Sequence, residues 1–193
     1  MKKDIILAGV GGQGILTIAT IIGYAAVESN LYLKQAEVHG MSQRGGDVQS
    51  HLRISDKEIY SDLIPQGKAD IILSVEPMEA LRYLPYLAKS GWMITNKKAF
   101  VNIPNYPPSD KIEDEIEKLT KKIALNADEM AKEIGSERAM NMVMLGAASL
   151  FLDLDYEKIK DGIKYLFGKK GEKIVETNLK ALEAGRKFSQ DNK

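Results

Sequence analysis

The sequence predicts an α/β protein of three layers, with a mostly parallel sheet, a β-hairpin extension and a helical C-terminal part. Short apolar runs rich in β-branched residues alternate with segments of helical spacing over the first two thirds of the chain. A glycine-rich stretch joins the first run to the first helical segment, and the pattern after Gly135 is helical to the end. With 193 residues, of which 44% are hydrophobic and 28% charged, the composition is that of a globular protein, and we expect residues 1–193 to form a single domain.

The first strand and helix are predicted on either side of the glycines. Residues 5–8 form a continuous apolar run, which is typical of a strand buried on both faces of a parallel sheet. Apolar residues then recur at helical spacing over residues 15–28, so a largely buried helix follows. Residues 31–38 supply the second strand.

The middle of the chain predicts a loop and a hairpin. Residues 39–47 have no regular period and contain three glycines, which indicates a loop. Residues 48–54 alternate between apolar and polar side chains, the pattern of a strand with one face toward water or an interface. Asp56 and Lys57 suit a turn that would pair this strand with residues 58–60.

Further strand and helix signals fill the rest of the chain. Glu76-Pro77 marks a helix start directly after an apolar run, and Gly91 is placed to cap the end of that helix. Asn126 or Asp128 can cap a later helix that ends near residue 134. The remaining predictions are strands over 69–75, 92–95 and 123–125, a loop over 102–110, and helices over 111–122, 138–152, 156–167 and 172–188.

Composition excludes several classes of function. Basic and acidic residues both number 27, so no overall field would attract nucleic acid or an anionic membrane. The absence of cysteine removes disulfides, thiolate zinc sites and cysteine-ligated iron–sulfur clusters. Two histidines, with no metal-binding spacing around them, predict no metal site. Without a signal-like or membrane-spanning apolar stretch, the protein is expected in the cytoplasm.

The segment Gly9-Val10-Gly11-Gly12-Gln13-Gly14 matches G-x-G-x-x-G between a predicted strand and a predicted helix, as in Rossmann-like folds. Glycines let the backbone approach a ligand, and the first helical N–H groups favour an anion. We therefore expect these residues to contact a cofactor phosphate. The alternative is that the glycines only allow close packing of the strand on the helix.

A second candidate region follows the second strand. Arg44 can offer a bidentate fork to a carboxylate or phosphate, and Gly45 and Gly46 would let backbone N–H groups approach the same anion. A structural ion pair with a neighbouring acid would suit Arg44 equally well, and a contact with a partner chain is a third alternative. His39, with an ordinary pKa near 6.5, can donate to or orient a substrate carbonyl. His39 and Arg44 are the catalytic candidates, whereas a packing role is favoured for the other histidine, His51.

Other residues are candidates for contacts with substrate or with a partner. Met41 suits an indole ring or loop packing, and Asn141 can face the glycine loop, a partner chain or a local backbone group. The pair Lys169-Lys170 is a weaker candidate for a coenzyme phosphate. The candidates for substrate or interface contact are Met41, Ser42, Gln43 and Asn141.

The segment 36–53, AEVHGMSQRGGDVQSHLR, together with Gly11-Gly12-Gln13-Gly14, resembles the gamma-type subunit or domain of 2-oxoacid:ferredoxin oxidoreductases. Within that family, the form His-Gly-Met-Ser-Gln-Arg-Gly-Gly over residues 39–46 is most similar to the beta subunit of the indolepyruvate enzymes. The resemblance extends over nearly the whole chain, with supporting stretches at 138–146 and 175–183.

The resemblance implies a subunit of a heteromeric enzyme that decarboxylates an aryl pyruvate, captures the acyl group on coenzyme A and reduces ferredoxin. A large alpha subunit would carry thiamine diphosphate and the iron–sulfur clusters, and the lack of cysteine here fits that division. The isolated chain can also form a homodimer through the surface meant for its partner. Two alternatives remain: an autonomous NAD- or flavin-dependent oxidoreductase with Glu37 on the ribose, and a non-catalytic nucleotide-binding module.

Overall fold

A computed structural model gives the structure of residues 1–40, 45–101 and 103–193, with only the backbone of His39 described. The strands are β1 (Lys2–Val10), β2 (Tyr32–His39), β3 (Asp47–Ser55), β4 (Ala69–Ser74), β5 (Leu87–Asn96) and β6 (Lys122–Leu125). The helices are α1 (Ile15–Val27), α2 (Pro77–Arg82), α3 (Ser109–Glu117), α4 (Ala127–Glu133), α5 (Met140–Ala148), α6 (Tyr156–Phe167) and α7 (Glu172–Asn192).

All six strands belong to one sheet, in the order β2-β3-β1-β4-β5-β6. β1, β4, β5 and β6 run parallel to one another, whereas β3 is antiparallel to both of its neighbours, β1 and β2. The predicted α/β fold with a mostly parallel sheet is therefore confirmed.

Helices cover both faces of the sheet and make three layers. Alternate residues of β1 point to opposite faces, so Ile5 and Leu7 join the core beneath α1, α5, α6 and α7, while Ile6 and Ala8 join the core beneath α2 and α3. This burial on both faces explains why β1 is a continuous apolar run. Within the described residues, no helix combines the length and the apolar character needed to cross a bilayer.

Local signals fixed several element boundaries correctly. Glu76 is the N-cap of α2, with Pro77 as its first residue, and Asn126 is the N-cap of α4. Residues 156–167 form α6 as predicted, with the side chain of Asp155 accepting a hydrogen bond from the Glu157 N–H at 2.9 Å.

The predicted hairpin pairs different strands from those expected. Residues 58–60 form no strand, and the antiparallel hairpin joins β2 to β3 instead. β3 lies between β2 and β1 and is buried on both faces, so the expected wet face is covered. Strand pairing depends on contacts across the sheet, which local alternation of side chains does not specify.

Two helix ends also differ from the prediction. α2 ends at Arg82, because Pro85 has no backbone N–H with which to continue the α-helix, and the chain goes on in a short 3₁₀ turn. Gly91 therefore lies inside β5 and caps no helix. A Cβ on Gly91 would lie 2.6 Å from Leu87 Cδ1 and 2.8 Å from the Ala69 oxygen, so this glycine permits a close approach within the sheet. The helix expected over 111–122 is α3, which is shorter and starts earlier.

α5 and α7 cross in direct backbone contact. A Cβ on Gly146 would lie 2.0 Å from the Leu182 oxygen, and one on Gly185 would lie 1.9 Å from the Val143 oxygen. Only glycine at these two positions allows the helices to approach so closely. The crossing places the start of α5 next to the glycine-rich loop after β1.

Candidate functional site

The candidate site lies at the carboxyl edge of the sheet, between β1 and β4. α1, which follows β1, covers one face, and α2, which follows β4, covers the other, so the chain diverges at this point. In open α/β sheets, ligands bind in the crevice at such a switch point. The segment from Gly9 to Gly14 joins β1 to α1 at this switch point.

The motif glycines have different roles. A Cβ on Gly9 would lie 2.4 Å from Val75 Cγ2 and 2.8 Å from Ile15 Cδ1, so this glycine allows β1, β4 and α1 to pack closely. Gly12 has a φ of +100°, and no atom lies within 4 Å of where its Cβ would be. Packing therefore explains Gly9, whereas Gly12 lies in open space that a ligand can approach.

The loop is held in place by its own hydrogen bonds. The Val10 N–H donates to Gln13 Oε1 at 2.8 Å, so the Gln13 side chain folds back onto the loop. Gly14 is the N-cap of α1, in the left-handed region with a φ of 83°, and no side chain caps the helix. The first N–H groups of α1 consequently have no side-chain acceptor, which suits an external anion.

Asn141 connects α5 to the glycine loop across 127 residues of sequence. Its Nδ2 donates to the Gly14 oxygen at 3.3 Å, and a Cβ on Gly14 would lie 2.4 Å from the same nitrogen. Of the alternatives considered for Asn141, the structure therefore has the side chain facing the glycine loop. Gly14, like Gly9, is required for close packing.

The β2–β3 connection reaches the same edge of the sheet. The Gly11 N–H donates to the Gly46 oxygen at 2.8 Å, and the Gly40 N–H donates to the Asp47 oxygen at 3.1 Å. Gly45 has a φ of 79°, the left-handed backbone that favours glycine. The sequence candidates Met41, Ser42, Gln43 and Arg44 lie outside the described residues, as does the side chain of His39.

A buried acidic cluster on the α2 side of the crevice was missed by the sequence reasoning. Glu76 is fully buried and accepts hydrogen bonds from the Glu79 N–H at 2.8 Å, from the Phe100 N–H at 3.2 Å and from the Tyr106 hydroxyl. Burial, followed by the hydrogen bond to Glu76, raises the pKa of Tyr106. Glu76 thus fastens the segment after β5 to the start of α2.

Glu79 and Tyr83 extend this cluster toward β3. Burial raises the pKa of Glu79, although Arg82 Nε donates to Glu79 Oε2 at 2.8 Å and opposes the shift. Burial and then the nearby Asp47 carboxylate raise the pKa of Tyr83 to about 12. The Tyr83 hydroxyl therefore stays protonated near neutral pH and acts only as a neutral hydrogen-bonding group.

His51 is a packing residue, as the sequence favoured. Its ring is buried, Nδ1 accepts from the Ile64 N–H at 3.0 Å, and Tyr86 packs against it edge-on at 5.4 Å between ring centroids. Burial, followed by the charge of Arg53, lowers the pKa of His51. A neutral ring that accepts at Nδ1 carries its proton on Nε2, so the Gln49 side-chain atom 2.7 Å away must be the amide oxygen, with the amide group turned over so that it accepts.

Glu37 does not take the place that a dinucleotide site requires. Its partner across the sheet is Ser50, which in turn pairs with Leu7, so Glu37 is level with the middle of β1. β3 also separates β2 from β1, which puts Glu37 about 10 Å from β1 at the usual strand spacing. Among the described residues, no group of three histidine or acidic side chains could hold a metal ion.

The sequence model of the pyruvate ferredoxin/flavodoxin oxidoreductase family matches residues 4–188. The chain belongs to this family. Its relatives include the indolepyruvate oxidoreductase subunit IorB of Archaeoglobus fulgidus, 39% identical over 96% of this chain and 94% of the relative. The same subunit of Thermococcus kodakarensis is 37% identical over 99% of this chain and 98% of the relative.

More distant family members have other named substrates. The 2-oxoglutarate synthase subunit KorC of Methanothermobacter thermautotrophicus is 30% identical over 97% of this chain and 95% of the relative. The ketoisovalerate oxidoreductase subunit VorA of Methanothermobacter marburgensis is 28% identical, and the match covers 36% of it. The same family domain thus occurs alone and as part of a longer chain.

Solved structures share the fold. The gamma subunit of a keto/oxoacid ferredoxin oxidoreductase from Geobacter sulfurreducens is 24% identical over 98% of this chain and 99% of its own, with a TM-score of 0.69. The 2-oxoglutarate:ferredoxin oxidoreductase of Magnetococcus marinus, solved with 2-oxoglutarate, coenzyme A and succinyl-CoA, has a TM-score of 0.79 at 22% identity. The match covers 98% of this chain and 31% of that one.

Proposed function

We propose that this chain is the small subunit of a heteromeric indolepyruvate-type 2-oxoacid:ferredoxin oxidoreductase. The enzyme would oxidatively decarboxylate an aryl pyruvate, transfer the acyl group to coenzyme A and reduce ferredoxin. The observation that carries this proposal is the similarity to indolepyruvate oxidoreductase subunits along nearly the full length of both chains. Residues 1–193 would act as one domain, in the cytoplasm.

The redox cofactors are assigned to the partner. Because the sequence contains no cysteine, this chain cannot hold an iron–sulfur cluster through thiolates. We assign thiamine diphosphate and the clusters to a large alpha subunit, and ferredoxin is the acceptor of the complex. Alone, the chain should be inactive.

The role proposed for this chain is to help bind coenzyme A. Gly12 has open space above it, and the first N–H groups of α1 have no side-chain cap, so the crevice fits a phosphate group. The N–H groups of Gly12 and Gly14 would position such a group, because those of Gly11 and Gln13 donate to the Gly46 and Val10 oxygens. Coenzyme A would supply the thiol that accepts the acyl group.

We propose that His39 and Arg44 act on the oxoacid or its product from the β2–β3 connection. The described ends of that connection, Gly40 and Gly45-Gly46, lie at the carboxyl edge beside the glycine loop. A guanidinium there would pair with a carboxylate or phosphate, and an imidazole would donate to a carbonyl oxygen. Met41, Ser42 and Gln43 would contribute substrate or partner contacts.

The position of Glu37 argues against an autonomous NAD enzyme. A dinucleotide site needs an acidic residue at the end of the strand beside β1, to bind the ribose hydroxyls. Here the strand beside β1 on that side is β3, and Glu37 lies level with Leu7 rather than beyond Gly9.

Reconstitution tests the proposed function. Oxoacid-dependent reduction of ferredoxin or a viologen is measured with coenzyme A and thiamine diphosphate, for this chain, the large subunit and their mixture. We expect turnover only in the mixture, with indolepyruvate or phenylpyruvate as the best substrate. Reduction of a nicotinamide by this chain alone, without turnover in the mixture, would overturn the proposal.

A matched pair of glycine variants tests the coenzyme contact. Gly12→Ala places a methyl group in the open space of the crevice, whereas Gly67→Ala introduces the same kind of positive-φ strain at an open turn elsewhere. Both should lose about 1 kcal/mol of stability. Only Gly12→Ala should raise the KM for coenzyme A in the reconstituted enzyme, by about tenfold or more. An equal KM for coenzyme A in the two variants would show that Gly12 does not contact the coenzyme.

A further inference from the structure

A second cleft is lined by Asn141 and by Thr17 of the first turn of α1. It has a volume of about 460 Å³, and its other walls are the segment before α5, the segment that joins α6 to α7 and the first two turns of α7. Its polar lining includes Thr17, Ser136, Arg138, Asn141, Lys170 and Lys173.

The charges in this cleft are of one sign. Arg138, Lys170 and Lys173 line it, and no aspartate or glutamate does. Among the described residues, none of these three cations forms an ion pair, although other lysines nearby are paired, such as Lys132 with Glu137 at 3.7 Å. The Lys170 ammonium group lies over the ring of Phe167, 5.2 Å from the ring centroid. Three cations around one concave site focus a positive potential in it.

Neutral donors converge on the same space. In the part of the chain that the structure describes, the hydroxyls of Thr17 and Ser136 form no hydrogen bond with the protein, so both can donate to a ligand. Lys173 lies in the first turn of α7, a helix of 21 residues whose N-cap, Gly171, provides no side-chain acceptor. The dipole of this helix adds to the preference for an anion.

We propose that the Arg138–Lys170–Lys173 cleft binds a small phosphate-bearing anion, either a phosphomonoester or a diphosphate. A single carboxylate would neutralise one of three unpaired cations, whereas a doubly or triply charged phosphate group matches their number and accepts several hydrogen bonds at once. The volume of the cleft suits a small ligand. Because the chain has no net charge, it produces no long-range electrostatic field that would attract a polyanion. The ligand would be either a phosphate of a coenzyme that extends past Asn141 or a free phosphate compound.

Calorimetric titration of the full chain with inorganic pyrophosphate tests this proposal at low salt. Replacement of two cations, in Lys170→Gln/Lys173→Gln, should weaken binding at least tenfold. The matched control is Lys180→Gln/Lys187→Gln, which removes two exposed charges from α7 outside the cleft and should leave the affinity within about twofold. Thermal unfolding of each variant checks that the fold is intact.

The outcomes separate this site from the crevice of the proposed function. Equal weakening in both lysine pairs, no binding by the wild type, or loss of binding in Gly12→Ala alone would overturn the proposal. Competition with coenzyme A then identifies the source of the phosphate: displacement of pyrophosphate indicates a coenzyme phosphate, and its absence indicates a free phosphate compound. The titration requires no turnover, so its failure leaves the reconstitution result unaffected.

Discussion

The contact between α5 and α7 predicts a large effect from one methyl group. In Gly185→Ala, the new Cβ would start 1.9 Å from the Val143 oxygen, 2.8 Å from the Val143 carbonyl carbon and 2.9 Å from the Ala147 nitrogen. These are backbone atoms, so no side-chain rotation can relieve the overlap. The helices must separate by about 1 Å or more to restore normal contacts.

The expected loss in the free energy of unfolding is the cost of overpacking minus the gain in helix propensity. Overpacking a rigid contact costs about 3 kcal/mol, and replacing glycine by alanine in a helix returns up to about 1 kcal/mol. The net loss of about 2–3 kcal/mol should lower the melting temperature by about 5–10 °C in a chain of this size. Because α5 carries Asn141 and α7 carries Lys173, the same shift should weaken ligand binding at both clefts.

The assay is urea unfolding followed by circular dichroism. Gly168→Ala is the matched control, since Gly168 has helical backbone angles and no atom within 4 Å of its Cβ position. Gly168→Ala should be neutral or slightly stabilising, while Gly185→Ala lowers the urea midpoint at an unchanged slope. A Gly185→Ala variant within about 0.5 kcal/mol of the wild type would refute the close-contact argument.

Three further predictions concern buried polar groups. Since His51 has a lowered pKa in the folded state, its neutral form should support stability above about pH 6.5, and unfolding titrations should show that stability falling at lower pH. His51→Gln should flatten this pH dependence; an unchanged slope would contradict the assignment. Arg53→Ala removes the 2.8 Å ion pair of the fully buried Asp4 and leaves it paired with Lys2 at 2.7 Å, so it should cost about 2–3 kcal/mol in urea unfolding, against little change for Lys34→Ala at the surface. Tyr106→Phe removes one hydrogen bond to Glu76 and should cost about 1–2 kcal/mol, measured by thermal unfolding; no loss would make that bond irrelevant to stability.

Local sequence signals were sufficient for most elements of the fold. The apolar run of β1, the Glu76-Pro77 start of α2 and the amphipathic pattern of α6 depend on neighbouring residues, and each was found as predicted. The position of β3 between β2 and β1 depends on pairing between distant segments. The sequence therefore predicted a strand there but assigned it the wrong hairpin partner.

The same distinction between local signals and contacts of distant segments applies to the candidate site. The glycine motif predicted the turn that joins β1 to α1, because its signal is contained in six consecutive residues. The packing of Asn141 on Gly14 joins positions 127 residues apart, and Arg138, Lys170 and Lys173 meet only after α5, α6 and α7 have packed. The burial of Glu76 and Glu79 was equally hidden, because a helix start gives no indication of what covers it.

The antiparallel β3 also sets the order in which the sheet can assemble. β1 and β2 both precede β3 in the chain, yet neither is hydrogen-bonded to the other, and β3 is the sheet neighbour that they share. During synthesis, β1 and β2 therefore lack the strand that joins them until Asp47–Ser55 has been made. Pulse-labelled hydrogen exchange should show amides of β1 and β2 gaining protection together with β3, rather than in an earlier β1–α1–β2 intermediate.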